Sequence, residues 1–215
     1  MAAGTDQKTA SGAYILTAKQ ERYLRTKHRI DGVIAALLIL VLAVPMAVIM
    51  LILKLLSPRE PVFFRHQRVG ENGQLFELIK FRSMRGNTPK YIAAADFSDS
   101  GEYITRFGRF LRCTSLDELP QLFHVLTGKM SLIGPRPLIP QEEAVHARRQ
   151  ADGVYRLRPG ITGWAQINGR DAISDEEKTD LDRYYLEHVS FALDWKIFWV
   201  TLRKVVLRED VERCP

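Results

Sequence analysis

The longest apolar run of the chain lies between Asp31 and Lys54 and contains no charged residue. As a straight helix this run would be about 33 Å long at about 1.5 Å per residue, enough to cross a bilayer core of about 30 Å. Pro45 lies near its middle, where a proline removes a helix hydrogen bond and can bend the segment sharply. The pattern therefore predicts a membrane helix that is broken at Pro45.

Basic residues flank this run on both sides. They are Lys19, Arg22, Arg25, Lys27 and Arg29 before the run, and Lys54, Arg59, Arg65 and Arg68 after it. The positive-inside rule keeps both flanks in the cytoplasm, which a re-entrant helix satisfies and a single crossing does not. The length of the run fits a crossing equally well, so from the residues alone both arrangements stay open.

Two extended stretches rich in Phe, Val and Ile lie between Pro61 and Met84, on either side of Gly70-Glu71-Asn72-Gly73. This pattern is typical of a β-hairpin. The same stretches carry polar and basic residues, namely Arg65, Gln67, Arg68, Lys80 and Arg82. A solvated basic face explains these residues as well as a binding site does.

Near the end of the chain, apolar residues recur at helical spacing. They are Phe191, Trp195, Phe198, Trp199, Leu202, Val205 and Val206. Core packing is the usual meaning of such a stripe. Trp beside Lys and Arg also suits the lipid interface, where an amphipathic helix lies in the plane of the headgroups. We expect this helix to serve both purposes.

The formal net charge of +6 suits acidic partners, which include nucleic acid, anionic lipid and phosphorylated substrates. No helix-turn-helix, zinc finger or aromatic strand motif of a nucleic-acid-binding domain is evident in the sequence. Nucleic acid is therefore not an expected partner.

Two adjacent carboxylates, Asp117 and Glu118, precede Pro120. Because proline has no amide hydrogen, it is tolerated in the first turn of a helix, so the helix should begin one to three residues before Pro120. Asp117 and Glu118 then lie in the first turn, where free amides and the helix dipole hold a carboxylate ionised and attract phosphate. An ionised carboxylate beside bound phosphate can act as a nucleophile or a metal ligand.

A purely structural role explains the same carboxylates, because Ser115-x-x-Glu118 fits a capping box by itself. Nearby cations favour a phosphate site instead. They are Arg106, Arg109 and Arg112 at helical spacing just upstream, and Arg136 in a rigid Gly-Pro-Arg-Pro loop downstream. A guanidinium recognises phosphate oxygens through a two-pronged contact.

In their order along the chain, these motifs resemble those of the bacterial sugar transferases, also called monotopic phosphoglycosyl transferases. The resemblance covers the chain from about Lys27 to Arg208. It rests on Pro61-Val62-Phe63-Phe64, Gln67-Arg68-Val69-Gly70, Lys80-Phe81-Arg82-Ser83-Met84, Leu116-Asp117-Glu118-Leu119-Pro120-Gln121, the loop from Gly134 to Pro137, and Pro159-Gly160-Ile161-Thr162-Gly163-Trp164. So many motifs in one order are highly specific together.

The resemblance implies transfer of a sugar 1-phosphate from a UDP-sugar to polyprenyl (undecaprenyl) phosphate, with release of UMP. This reaction initiates bacterial glycoconjugate or exopolysaccharide synthesis. Asp117 is then the expected nucleophile, forming a phosphosugar-aspartyl enzyme. Mg²⁺ is the expected cofactor, with Asp117 and Glu118 as its protein ligands. The resemblance also favours the re-entrant helix, and with it a monotopic protein on the cytoplasmic face of the bacterial inner membrane.

Further site residues are expected around the two carboxylates. For substrate phosphate the candidates are Arg112 and Arg136 first, then Arg82, Lys80, Arg106 and Arg109. For the nucleotide the candidates are Asn168 and Arg170, although turn chemistry explains Asn168-Gly169 equally well. Two other functions stay open: a membrane-anchored phosphohydrolase that uses water as acceptor, and a non-enzymatic basic membrane adaptor.

The 215 residues suffice for one ordinary core plus a membrane element. We expect a mobile N-terminus over residues 1–18, a membrane-associated re-entrant helix over 19–57, and a catalytic domain over 58–215. Within that domain, residues 86–102 are expected to form a loop and residues 141–150 a short helix. The predicted fold class is α+β and mainly helical, with a compact cytoplasmic domain and interfacial amphipathic helices.

Overall fold

The computed structural model describes residues 13–86, 88, 103–169 and 173–207. Much of the predicted mobile N-terminus and most of the predicted loop over residues 86–102 lie outside these ranges. Within them the protein is mainly helical and carries two small β-sheets, which confirms the α+β fold class.

Helix α1 (Ala18–Leu56) contains the long apolar run and has 39 residues. It begins with a complete capping box, in which the Thr17 hydroxyl accepts from the Gln20 amide and the Gln20 side chain accepts from the Thr17 amide. At about 1.5 Å per residue, α1 is about 58 Å long along its axis. The helix continues through Pro45, and the re-entrant turn there stays a prediction.

A β-hairpin follows α1, as the sequence predicts. Strand β1 (Phe63–Val69) pairs antiparallel with β2 (Leu75–Phe81). In the turn between them, Asn72 and Gly73 have φ values of 56° and 72°. Asn and Gly are the residues that adopt this left-handed conformation most readily, which explains the turn sequence.

The two carboxylates lie between helix α2 (Arg106–Cys113) and helix α3 (Leu122–Leu126). The segment that holds them, Leu116–Gln121, is a 3₁₀-helix and not the first turn of an α-helix. Pro120 lies inside this segment and has no N–H to donate to a carbonyl four residues earlier. The regular α-helix therefore begins only after the proline.

The rest of the chain brings a second sheet together with the C-terminal helices. In chain order its elements are β3 (Ser131–Ile133), α4 (Glu143–Asp152), a 3₁₀ turn (Val154–Arg156), β4 (Gly160–Thr162), α5 (Trp164–Ile167), α6 (Asp175–His188) and α7 (Phe191–Leu207). Strands β3 and β4 are parallel, with Ser131 opposite Gly160 and Ile133 opposite Thr162.

Among the described residues, three clusters of buried apolar side chains form the core, and α1 contributes to each of them. The first cluster joins Leu24 to α6 and α7. The second joins Ala35 to β2 and α3. The third joins Met46, Ile49 and Leu53 to β2 and α2. One face of α1 is therefore covered by the rest of the protein along most of its length.

The opposite face of α1 is apolar and exposed. Leu40 and Val44, for example, are 75% and 73% exposed. Within the described residues, α1 is the one helix long and apolar enough to cross a membrane, with a mean hydropathy of 3.1 over 18 residues. These exposed side chains are typical of a surface that contacts lipid.

Helix α7 confirms the predicted C-terminal helix, but its apolar stripe is not in the core. Phe191, Trp195 and Trp199 are 67%, 52% and 50% exposed, and the residues that α7 buries are Asp194 and Ile197. The core-packing interpretation of the stripe is therefore wrong. An exposed stripe of this kind favours an interfacial role.

Candidate active site

The two carboxylates occupy different environments. Asp117 is buried, with 7% of its surface exposed. Glu118 accepts a hydrogen bond from the Lys80 Nζ at 2.6 Å, in an ion pair that links the 3₁₀-helix to β2. The Ser115 side chain makes no capping hydrogen bond. The capping-box interpretation is therefore wrong, because Glu118 pairs with Lys80 across the site.

The charges around Asp117 control its ionisation. Burial raises the pKa of the Asp117 carboxyl, and the negative charge of Glu118 raises it further. The cations of Lys80 and Arg112 oppose this rise. Burial lowers the pKa of Lys80, while its ion pair with Glu118 opposes that change. An ionised Asp117 therefore depends on the two neighbouring cations.

Close packing between α2 and the end of the hairpin places Arg112 near Asp117. The Arg112 Nε donates to the Ser83 hydroxyl at 3.0 Å. A side chain at Gly108 would bring its Cβ within 1.8 Å of the Ser83 carbonyl oxygen, so only glycine allows α2 to approach this closely. The glycine thereby brings the predicted phosphate-binding Arg112 toward the carboxylates.

The loop that carries Arg136 is fixed by backbone hydrogen bonds to β4. The Gly134 amide donates to the Thr162 carbonyl, and the Gly160 amide donates to the Pro135 carbonyl, both at 2.9 Å. A Cβ at Gly134 would lie 2.3 Å from the Arg158 carbonyl oxygen, so the loop requires glycine there. These contacts hold the backbone of Arg136 in one place.

Arg149 adds a further contact to this loop. Its Nη1 donates to the Arg136 carbonyl at 2.8 Å, and its Nε donates to Asp182 at 3.0 Å. Arg149 and Asp182 are both buried. This ion pair joins α4 and α6 to the loop, a role that sequence reasoning did not predict.

A pocket opens between the hairpin, the 3₁₀-helix and the Arg136 loop. Its lining residues are Arg68, Leu78, Lys80, Glu118, Gln121, Arg136, Pro137, Gly160 and Ile161. The structure thus brings together three predicted site residues, Lys80, Glu118 and Arg136. Arg68 also lines the pocket, although the sequence suggested only a place on the basic hairpin.

Other predicted site residues lie apart from this pocket. The Arg82 Nη1 pairs with Glu60 at 3.0 Å and donates to the Pro61 carbonyl at 2.6 Å, so Arg82 holds the base of the hairpin. The Asn168 side chain donates to the Trp164 carbonyl at 2.8 Å, at the end of α5. In the described part of the chain, no hydrogen bond or ion pair joins Arg106 or Arg109 to the pocket. Arg170 lies outside the described residues.

The carboxylates at Asp117 and Glu118 suit one particular way of binding Mg²⁺. No group of three or more His, Cys, Asp or Glu side chains that could hold a metal occurs among the described residues. Mg²⁺ commonly binds through one or two carboxylates together with substrate phosphates and water. Asp117 and Glu118 suit that arrangement and do not form a complete metal cage.

Comparison with known proteins identifies the family of the chain. The family model described as bacterial sugar transferase matches residues 22–208. The chain belongs to the bacterial sugar transferase family. This membership confirms the family and the enzyme class predicted from the sequence, a phosphoglycosyl transferase.

Several curated proteins resemble this sugar transferase. It is 44% identical over 153 residues to the uncharacterized sugar transferase EpsL of Bacillus subtilis, covering 71% of this chain and 74% of that protein. It is 33% identical over 196 residues to the exopolysaccharide production protein ExoY of Sinorhizobium fredii, covering 85% of this chain and 86% of ExoY.

Another relative is considerably longer. The undecaprenyl-phosphate glucose phosphotransferase of Komagataeibacter xylinus is 40% identical over 216 residues, covering 93% of this sugar transferase. The match spans only 40% of the length of that relative. The similarity therefore concerns one part of the longer protein.

Proposed function

We propose that this enzyme transfers a sugar 1-phosphate from a UDP-sugar to polyprenyl phosphate, through a phosphosugar-aspartyl intermediate at Asp117. The observation that carries the proposal is the buried Asp117 carboxylate, with Lys80 and Arg112 nearby and Arg68 and Arg136 in the adjoining pocket. Such a concentration of cations suits a diphosphate substrate. The names of relatives support it, since the Komagataeibacter xylinus protein is an undecaprenyl-phosphate glucose phosphotransferase.

In the first step, an Asp117 carboxylate oxygen attacks the sugar-bearing phosphorus of the donor. The new bond joins this oxygen to phosphorus, and the bond to the bridging oxygen breaks, so that UMP leaves with the electron pair. In the second step, an oxygen of the lipid phosphate attacks the same phosphorus and Asp117 leaves. A direct reaction would require two large anions to meet at one phosphorus. The covalent intermediate replaces it with two successive displacements. The products are polyprenyl diphosphate-sugar and UMP.

Mg²⁺ would be held by Asp117 and Glu118 together with the donor phosphates. When bound, it offsets the charge of the diphosphate and stabilises the leaving phosphate. Lys80 keeps Glu118 in place through their 2.6 Å ion pair. The cations of Lys80 and Arg112 oppose the rise that burial causes in the pKa of Asp117, and so favour its ionised form.

The same proposal places the protein on the cytoplasmic face of the bacterial inner membrane, where the nucleotide donor is available. The catalytic domain covers α1 from Leu24 to Leu53. If α1 crossed the bilayer as a straight helix, β2 and its charged Glu77 and Lys80 would be drawn toward the hydrocarbon, which is costly. A re-entrant α1, with α7 at the headgroups, avoids this cost and keeps both basic flanks in the cytoplasm.

Replacing the nucleophile tests the reaction. We expect Asp117→Asn to lower UMP release from a UDP-sugar by at least about a thousandfold, because no covalent intermediate can form. Glu118→Gln should weaken metal-dependent turnover and still allow some transfer. The measurement is UMP release by the detergent-purified protein with Mg²⁺, with and without undecaprenyl phosphate, over a panel of UDP-sugars.

Asp180→Asn is a matched control, since the Asp180 side chain is 62% exposed and pairs only with Arg148 in the described chain. Full UMP release by the Asp117→Asn variant would refute the mechanism. Free sugar phosphate as the main product in the presence of lipid would instead identify a phosphohydrolase. The donor that supports lipid-dependent release would name the sugar.

A further inference from the structure

Arg68 and Arg136 line the same pocket, and neither has a carboxylate partner at ion-pair distance among the described residues. Other cations around them do have such partners. Lys80 pairs with Glu118 at 2.6 Å, and Arg158 pairs with Glu71 at 3.2 Å. The two guanidiniums therefore bring uncompensated positive charge into the pocket.

Both arginines are held there in spite of their like charge. The Arg68 Nη1 donates to the Pro137 carbonyl at 3.4 Å, and the next residue of β1, Val69, donates its amide to the Leu138 carbonyl at 3.0 Å. These two contacts join β1 to the segment that directly follows Arg136. The Arg136 carbonyl is in turn held by Arg149. The backbone thus fixes the two arginines next to each other.

The unpaired Nε of Arg68 is a second indication of a ligand. This atom is buried and has no hydrogen-bond partner among the described residues. A buried donor without a partner destabilises the protein, and more so when the group is charged. An anion in the pocket would supply the missing acceptor.

Arg68 keeps its charge in this environment. Burial and, to a smaller extent, the positive charge of Arg136 lower the pKa of Arg68, while Glu142 and Glu118 oppose the change; the resulting pKa is about 10. The side chain therefore remains protonated at neutral pH. Of the two opposing carboxylates, Glu118 is already paired with Lys80.

We propose that Arg68 and Arg136 form one subsite for a phosphate monoester, which holds the phosphate of departing UMP and then the phosphate of the lipid acceptor. This inference rests on the proposed two-step reaction. In such displacements the attacking and leaving oxygens lie roughly in line with phosphorus. Because UMP leaves opposite Asp117, the acceptor must enter from the side that UMP has left. One pair of guanidiniums can therefore serve both steps.

Phosphate binding without turnover tests this subsite. Isothermal titration calorimetry on the full chain in detergent would measure the Kd of UMP and of inorganic phosphate for the wild type, Arg68→Gln and Arg68→Lys. We expect Arg68→Gln to weaken both ligands roughly ten- to hundredfold, since a charge-assisted hydrogen bond is lost. Arg68→Lys should be intermediate, because lysine keeps the charge without the two-pronged contact.

Arg65→Gln is the matched control on the same strand. Its side chain is 63% exposed and pairs with Glu77 at 3.5 Å, outside the pocket. We expect this variant to bind both ligands as the wild type does. Wild-type affinity in both Arg68 variants would overturn the proposal. If Arg68→Gln fails to fold, Arg68→Lys decides the question.

Competition tests whether the two substrates share the subsite. A short-chain polyprenyl phosphate should displace UMP from the wild type, and the affinities of both ligands should fall together in Arg68→Lys. Simultaneous binding of UMP and the lipid phosphate would refute the shared subsite. If no UDP-sugar supports transfer and phosphate binding still depends on Arg68, the proposed function falls while the phosphate subsite stands.

Discussion

His124 contacts the backbone of β2 next to Lys80, one of the residues that line the pocket. Its Nε2 accepts the backbone N–H of Ile79 at 3.1 Å, directly beside Lys80 on β2. A protonated ring has no acceptor nitrogen, so this contact requires neutral His124. Burial lowers the pKa of His124, and the positive charge of Lys129 lowers it further. The fold thus favours the state of the ring that positions Lys80.

This contact predicts a pH dependence of stability. Because the pKa of His124 is lower in the folded protein, its contribution is complete above the unfolded value of about 6.5 and declines as pH falls below it. In His124→Gln, an amide oxygen can accept the same N–H without titrating. We expect the thermal midpoint of the wild type to fall more between pH 7.5 and pH 5.5 than that of His124→Gln.

A second variant controls for the hydrogen bond itself. His124→Leu leaves the Ile79 N–H without an acceptor and should lower the free energy of unfolding by about 1–3 kcal/mol at neutral pH. Parallel pH curves for the wild type and His124→Gln would contradict the assigned role of the ring.

For single residues, the sequence indicates which side chains have suitable chemistry better than it indicates where they lie in the fold. Asp117 and Glu118 stand out because two adjacent carboxylates precede Pro120 and have arginines on both sides in the sequence. Arg68 does not stand out, because a basic residue on a hairpin has the same sequence pattern whether it is solvated or lines a pocket. The placement of Arg68 beside Arg136 depends on long-range contacts, such as the one between Arg68 and Pro137, 69 residues later.

At the scale of elements, a buried polar network joins α1 to α7. The Lys27 Nζ lies 2.7 Å from Asp31 and 3.8 Å from Asp194, and it also hydrogen-bonds the Ser131 hydroxyl. Asp194 accepts further hydrogen bonds from Tyr23 and Tyr185, both at 2.6 Å. Lys27 was expected on a basic flank, yet it is 6% exposed. This one cation compensates two buried carboxylates.

Removing Lys27 should therefore strongly destabilise the protein. We expect Lys27→Met to lower the free energy of unfolding by about 3–5 kcal/mol, because it leaves two buried carboxylates without a cation. Lys19→Met is the control, since Lys19 is exposed on the same helix. Denaturant unfolding in detergent would measure both. Equal midpoints for the two variants would show that the network adds no stability.

Elements with strong periodicity could be predicted, and short ones could not. The hairpin and α7 each have a clear pattern, and both occur as predicted. Strands β3 and β4 have three residues each, too few to show alternation. Their pairing depends on the close approach of Gly134 and Gly160, which no local pattern indicates. The 3₁₀-helix around Asp117 likewise forms because Pro120 has no N–H to donate to a carbonyl four residues earlier.

For the whole molecule, the membrane topology is the feature to test. One face of α1 is covered by the rest of the protein and the other is exposed and apolar, which suits contact with lipid. The proposed re-entrant arrangement adds that both termini lie in the cytoplasm. Reporter fusions at each terminus would test this, with GFP fluorescent in the cytoplasm and alkaline phosphatase active outside. We expect GFP signals at both ends and no phosphatase activity.

A protein that crosses the membrane once provides the control for these fusions, because its two termini give opposite signals. An active phosphatase at the C-terminus would refute the re-entrant arrangement. It would also separate the C-terminal part of the protein from the proposed nucleotide donor, since UDP-sugars are cytoplasmic.

Because α1 contributes to all three clusters of the core, the order of synthesis matters for this protein. The ribosome completes α1 before it makes β2 and α3, which later cover Ala35 and its neighbours. During that interval the segment of α1 from Gly32 to Leu53 is apolar on both faces, and in the proposed arrangement the bilayer would shield it. Insertion of α1 would then precede the folding of the residues that cover it.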